Sequence, residues 1–155
     1  MLIACAADAH GAKRQMDRLV AALPAIDAFC FLGDTDRDVQ YLSLGFQEAR
    51  PSVPLHAVAG NNDPFSKLAK TELVWFENTR AIITHGHLYH VKLGTASLLA
   101  AAKKSGCALA LFGHTHQPLY KEYDGVALVN PGALLRGQWA LVDIAGRIEV
   151  RLMAL

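Results

Sequence analysis

The sequence predicts an α/β fold in which two packed β-sheets carry helices on their outer faces. Three observations support this expectation. Over residues 1–60, short apolar runs alternate with stretches of helical periodicity. In the second half, apolar runs come in pairs around tight-turn residues. At 155 residues, with 52% apolar and 19% charged side chains, the chain can bury one good core and is too short for two ordinary domains.

The elements follow in order. The apolar run 2–7 ends at Asp8-Ala9-His10-Gly11, and Met16, Leu19, Val20 and Leu23 then fall at helical spacing until Pro24. A second strand is predicted over 26–32, ending in Gly33-Asp34, with a helix over 38–49 that stops before Pro51. Residues 55–59, LHAVA, form a third strand that ends in Gly60-Asn61-Asn62-Asp63. Strands alternating with helices imply parallel pairing with right-handed crossovers, and such sheets bind ligands at the carboxyl ends of their strands. Beyond residue 70, ELVWFE and RAIITH flank Asn78 as a hairpin would, a helix is predicted over 94–105, and ALALF reads as a buried strand ending at Gly113. Two more hairpins are expected around Asp124-Gly125 and Ala145-Gly146. No repeat, linker or low-complexity segment interrupts the chain, so residues 1–155 are expected to form one domain.

Charge and cysteine usage exclude several classes of function. The formal charge is +1 and no Lys/Arg block breaks the balance, which argues against a nucleic-acid or membrane surface found by bulk charge. Residues 1–7, MLIACAA, are too short for a signal-peptide core, and no apolar stretch approaches the roughly 20 residues that span a bilayer. Cys5, Cys30 and Cys107 are odd in number and embedded in apolar runs, as small buried hydrophobes in a reducing compartment would be. A cytoplasmic location is the expectation.

Five predicted strand ends carry Asp8-x-His10, Gly33-Asp34, Gly60-Asn61-Asn62-Asp63, His85-Gly-His87 and Gly113-His114-Thr-His116. Taken singly, each is ordinary turn chemistry. Five together, each at the end of a buried-type strand, are hard to explain as turns. Carboxylate, amide and imidazole donors without thiolate suit Mn²⁺, Fe, Zn²⁺ or Ni²⁺ in a catalytic setting better than a Cys-rich structural zinc site. Seven such groups are too many for one ion. Two ions about 3.5 Å apart sharing a carboxylate would use them all and could clamp an in-line displacement at phosphorus.

The order DxH, GD, GNxD, HGH, GHTH resembles the calcineurin-like metallophosphoesterase superfamily, over residues 8 to 116. The chain is more closely similar to its small prokaryotic branch, the YfcE-type phosphodiesterases, through ITHGHLY at 83–89, FGHTHQP at 112–118 and LVNPGA at 128–133, where the family usually has NPGS. The resemblance implies the metallo-dependent phosphatase fold, a four-layer αββα sandwich with a dinuclear site above the sheets. It implies that Asp8, His10 and His116 hold one divalent ion and Asn61, His85 and His114 the other, Mn²⁺ being expected first and Mg²⁺ also possible, with Asp34 bridging. The nucleophile it implies is a hydroxide shared by the ions, acting on a small phosphodiester.

Asn62 departs from the GNHD pattern, in which a histidine protonates the leaving oxygen or steadies the transition state. An amide cannot deliver that proton, so acidic leaving groups such as aryl alcohols are expected to be favoured, and His87 is a candidate substitute donor. Two alternatives accompany this reading: a non-catalytic protein-interaction scaffold, since a retromer subunit shares the fold, and a phosphomonoesterase or nucleotide-cleaving enzyme. Asp63 is expected either to orient a ligand or to serve as a helix cap or Asx turn. Asp36 and Asp38 are expected to be solvated caps, His56 and His90 to be structural or surface residues, and Trp75, Phe76 and Trp139 to pack in the sheets. Segments 35–50 and 64–72 are the expected walls of the substrate site, and hairpin edges make a homo-oligomer plausible.

Overall fold

The computed structural model describes residues 1–155. The elements are β1 (Leu2–Ala6), α1 (Lys13–Ala22), β2 (Ala28–Phe31), α2 (Asp36–Ala49), β3 (Leu55–Ala57), β4 (Thr71–Phe76), β5 (Thr79–Thr84), α3 (Ala96–Lys104), β6 (Leu109–Phe112), β7 (Leu119–Tyr123), β8 (Val126–Asn130), β9 (Gln138–Asp143) and β10 (Glu149–Ala154). They form two five-stranded mixed sheets, in the orders β10-β9-β1-β2-β3 and β4-β5-β6-β8-β7. Strands β1, β2 and β3 are parallel to one another, and so are β5, β6 and β8. The hairpins supply the antiparallel strands at the edges.

Alternation along the strands separates three apolar layers. Ile3 and Cys5 of β1, Ile83 of β5, Leu109 and Leu111 of β6 and Val142 of β9 meet between the sheets. The other face of the first sheet, with Ala4, Ala6, Phe29 and Phe31, packs on Met16 and Leu19 of α1 and Leu42 and Phe46 of α2. Ile82, Ala110, Phe112 and Leu128 of the second sheet pack on Leu98 and Ala102 of α3. The result is helix, sheet, sheet, helix, the metallo-dependent phosphatase fold. Strands buried on both faces need continuous apolar runs, which is why AFCF and LALF carry no polar residue.

Each predicted hairpin is present. Glu77 at φ 51° and the pair Asp124 and Gly125 at 50° and 78° supply the left-handed residues that tight hairpin turns require. The segment 35–50 is almost wholly α2, so it offers a helix start and not a loop wall to the site. No helix is long and apolar enough to cross a membrane. The three cysteines are free and buried, and burial pushes the Cys5 thiol up to about 12.

Candidate metal centre

All six parallel strands point their carboxyl ends at one pole, where the two sheets meet. Asp8 and His10 follow β1, Asp34 follows β2, Asn61 follows β3, His85 and His87 follow β5, and His114 and His116 follow β6. Close backbone approach is what lets these loops share one centre. A Cβ on Gly113 would lie 2.7 Å from Ala7 Cβ, and one on Gly60 would lie 2.0 Å from Asp34 Oδ1. Asp8, His10, His114 and His116 all take left-handed φ, between 48° and 69°. Such residues cost about 1–3 kcal/mol each, a strain characteristic of sites whose side chains are held for a purpose.

The expected donors lie close together at this pole. Asp8, His10 and His116 present ligand atoms within 4.8 Å of one another. His116 Nε2 lies 3.2 Å from Asp8 Oδ1 and 3.2 Å from His10 Nε2. On the other side, His85 Nε2 lies 3.2 Å from Asn61 Oδ1 and 3.1 Å from His114 Nδ1. Asp8, His85 and Asp34 also form a group within 4.8 Å, so Asp8 belongs to both clusters and Asp34 to one. Asp34 also accepts from the Asn62 backbone N–H at 3.0 Å and from the Asn62 side-chain amide.

The donor chemistry fits cations. His85 Nδ1 donates to the Leu32 carbonyl at 2.7 Å, which leaves Nε2 as a bare lone pair. That lone pair faces the Asn61 carbonyl oxygen and the two carboxylates, all acceptors. Asp8 Oδ2 accepts the His114 backbone N–H at 2.9 Å, whereas the buried Oδ1 has no partner at all. Lone pairs aimed at one another in a buried space call for a positive ion between them. Burial pushes the Asp8 carboxyl up to about 7, partly offset by the His114 N–H and the His10 charge. It holds His85 down at about 4 and lowers His87, His114 and His116 as well, which favours the neutral imidazole in each. A cation beside Asp8 would reverse the effect of burial and keep that group ionised.

Several supporting residues carried no clear signal in the sequence. Asp38 is buried, not a solvated cap: its carboxylate accepts from the Gly11 N–H at 3.0 and 3.2 Å and ties α2 to the loop that presents His10. Asp63 accepts from the N–H groups of Gly60 and Asp36 at 3.0 and 2.9 Å, bracing the Asn61 loop against the start of α2. Asp36 accepts from the Ser66 hydroxyl at 2.6 Å. Asn130, buried at the end of β8, donates to the Gly113 carbonyl at 2.8 Å and to Thr115 Oγ1 at 3.1 Å, holding the loop between His114 and His116. Its only sequence signal was the NPGA word. Nearby positive charge also contributes: Lys92 helps lower the pKa of Asp8, His114 and His116, Arg136 that of His116 and Lys70 that of His87. His87 is half-buried with its ring 5.5 Å from that of His85, and its Nδ1 has no partner. His56 stands edge-on to Phe76 and His90 is exposed, away from the cluster. Phe76 and Trp139 are buried, while Trp75 is exposed with the Arg80 guanidinium 5.6 Å from its ring.

The calcineurin-like phosphoesterase superfamily domain matches residues 1–149. A probable metallophosphoesterase of Bacillus subtilis, YsnB, is 26% identical over 82% of this chain and 71% of its own length. Among solved structures, an archaeal phosphodiesterase superposes with a TM-score of 0.80 at 20% identity, covering both chains completely. A single-site variant of Vps29 from Entamoeba histolytica gives 0.72 at 19%, over 100% of this chain and 99% of that one. At such identities the superpositions speak to the fold alone, and they agree with the four layers described above. The family match spans all five donor-bearing loops, and the chain belongs to the calcineurin-like phosphoesterase superfamily, as a metal-dependent phosphoesterase.

Proposed function

We propose that the chain is a phosphodiesterase working with two divalent cations, manganese foremost. Asp8, His10 and His116 would hold one, Asn61, His85 and His114 the other, with Asp34 between them. The observation that carries this reading is the meeting of lone-pair donors without protons to share, above all Asp8 Oδ1, which accepts no hydrogen bond, and the bare His85 Nε2. Two bound cations would supply Lewis-acid charge against the phosphoryl oxygens and a water acidic enough at neutral pH to attack phosphorus.

The chain's own residues shape the rest. Asn62 donates to Asp34 through both backbone and side chain, so it steadies that carboxylate while offering no acidic proton. Departure of a poorly acidic alcohol is then slow, and losing general-acid help costs on the order of 10² to 10⁴ in rate. Aryl diesters escape that penalty. His87, with its partnerless Nδ1 beside His85, is the group within the site that could still assist a leaving oxygen.

The test is hydrolysis of bis(p-nitrophenyl) phosphate and p-nitrophenyl phosphate with and without Mn²⁺. Diester cleavage that needs the metal, with little monoester cleavage, is the expected result. Faster monoester cleavage would assign the phosphomonoesterase role instead. Folded protein that neither binds metal nor cleaves either ester would assign the scaffold role that the Vps29-like fold also permits.

A further inference from the structure

A second recess adjoins the metal centre. It has a volume of about 460 Å³ and lies between the turn at 91–95, the loop carrying Thr115 and Gln117, and the face of β7 that bears Lys121. Thr115 is the residue between His114 and His116, so one wall of the recess is the back of a ligand loop. Lys92 and Lys121 line it, and no acidic side chain does.

This charge pattern differs from that of the larger cavity on the molecule. The larger cavity, about 610 Å³, is lined by Arg147 and Arg151 but also by Glu122 and Glu149, and Arg147 is paired with Glu149 at 3.1 Å. It lies near Ala108, at the amino end of β6 and hence away from the ligands. Lys103 is likewise paired, with Asp124 at 2.7 Å. Lys92 and Lys121 have no such partner. An anion in the recess would draw on both ammonium groups at once. The remaining lining is neutral: Thr95 and Gln117 offer hydrogen-bonding groups beside the apolar Phe112 and Leu119. Gly94 and Thr95 also bring the start of α3 to the recess, where Thr95 makes no side-chain cap, leaving first-turn N–H groups to favour negative charge.

We propose that this recess binds a second phosphate of the substrate, so that the preferred ester carries a phosphate on one arm beyond the one that is cleaved. The inference rests on reading the metal centre as a phosphoester site. It adds a substrate class: a phosphorylated phosphodiester, not a neutral-armed one. Lys92 spans the two regions, since its charge also bears on Asp8, His114 and His116. A substrate lying across the loop of Thr115 would meet cations at both ends.

The experiment is calorimetric titration of Mn²⁺-loaded protein with thymidine 5′-monophosphate and with thymidine 3′,5′-bisphosphate, which differ only by the second phosphate. The bisphosphate is expected to bind about tenfold more tightly, from two solvent-screened lysines worth a few-fold each. In the double variant Lys92→Ala/Lys121→Ala, with its fold checked by circular dichroism, that preference should shrink to about twofold or less. Equal affinity in the unaltered protein, or a preference that survives the double substitution, overturns the proposal. Hydrolysis of bis(p-nitrophenyl) phosphate, run in parallel, separates the two readings. Protein that prefers the bisphosphate but cleaves nothing keeps the recess and loses the phosphodiesterase. Protein that cleaves the diester without the preference keeps the enzyme and loses the recess.

Discussion

Replacing Gly60 by alanine tests whether the two loops that meet at Asp34 are as close as the structure makes them. The new Cβ would lie 2.0 Å from Asp34 Oδ1, 2.7 Å from its Cα and 2.8 Å from its Cγ. Carbon–oxygen contacts do not persist below about 3.0 Å, so the carboxylate or the Asn61 loop must move by roughly 1 Å. Neither moves freely. Asp34 is buried and held by Asn62, and Gly60 is tied to Asp63 through its N–H at 3.0 Å. Overpacking of this kind costs about 1–3 kcal/mol, which for a chain of this size lowers Tm by roughly 3–10 °C. A ligand displaced by 1 Å is expected to cost about 10²-fold in rate. Thermal denaturation, metal content and aryl diester hydrolysis read the three effects separately. Gly45→Ala is the control: in α2 its Cβ meets only Val20 Cγ2, at 3.7 Å, so helix propensity should stabilise the protein by about 0.5–1 kcal/mol. A Gly60→Ala protein with unchanged Tm, metal content and rate would refute the described apposition of the two loops.

Other expectations follow from the same geometry. Asp34→Asn should lower metal content and cut diester hydrolysis by at least roughly 100-fold, and a variant retaining both would remove Asp34 from the shared position. Asn130→Ala leaves the buried Gly132 N–H without its acceptor and takes one of two donors from the Gly113 carbonyl, so a loss of about 1–3 kcal/mol in chemical denaturation is predicted, with weaker metal retention. His87→Ala should slow alkyl diesters more than aryl ones, and an equal effect on both leaving groups would end its role as a donor. Burial pushes the Cys5 thiol up to about 12 and raises those of Cys30 and Cys107. Native protein at pH 8 should therefore resist alkylation while unfolded protein reacts at all three positions, which mass spectrometry would show directly.

Much of this was legible in the sequence because the signals are local. Runs such as LIACA and AFCF, short, apolar and bounded by turn residues, read as strands buried on both faces, and the polar residues that follow them mark the strand ends. The polar residues that gather at the strand ends, and their attendant glycines, were readable for the same reason. What stayed hidden depends on contacts distant in sequence. Asp38 resembled a solvated helix-start residue until the fold brought Gly11, 27 residues away, against it. Asp63 braces Asp36 across the same separation, and Asn130 reaches back 17 residues to Gly113. The sharing of Asp8 between two groups and the recess framed by Lys92 and Lys121 arise only when β1, β6 and β7 are placed together in space. Nothing in the local sequence around a lone lysine distinguishes such a wall from ordinary surface.

The central claim is that these strand ends hold two divalent ions and that the ions make the chain a phosphodiesterase. Titrating Mn²⁺ into chelator-stripped protein while following bis(p-nitrophenyl) phosphate hydrolysis tests it most directly. The account predicts no activity in the stripped protein and activity that reaches its plateau only after a second equivalent is bound. Hydrolysis that persists without metal, or folded protein that stays inactive with both equivalents bound, would contradict it.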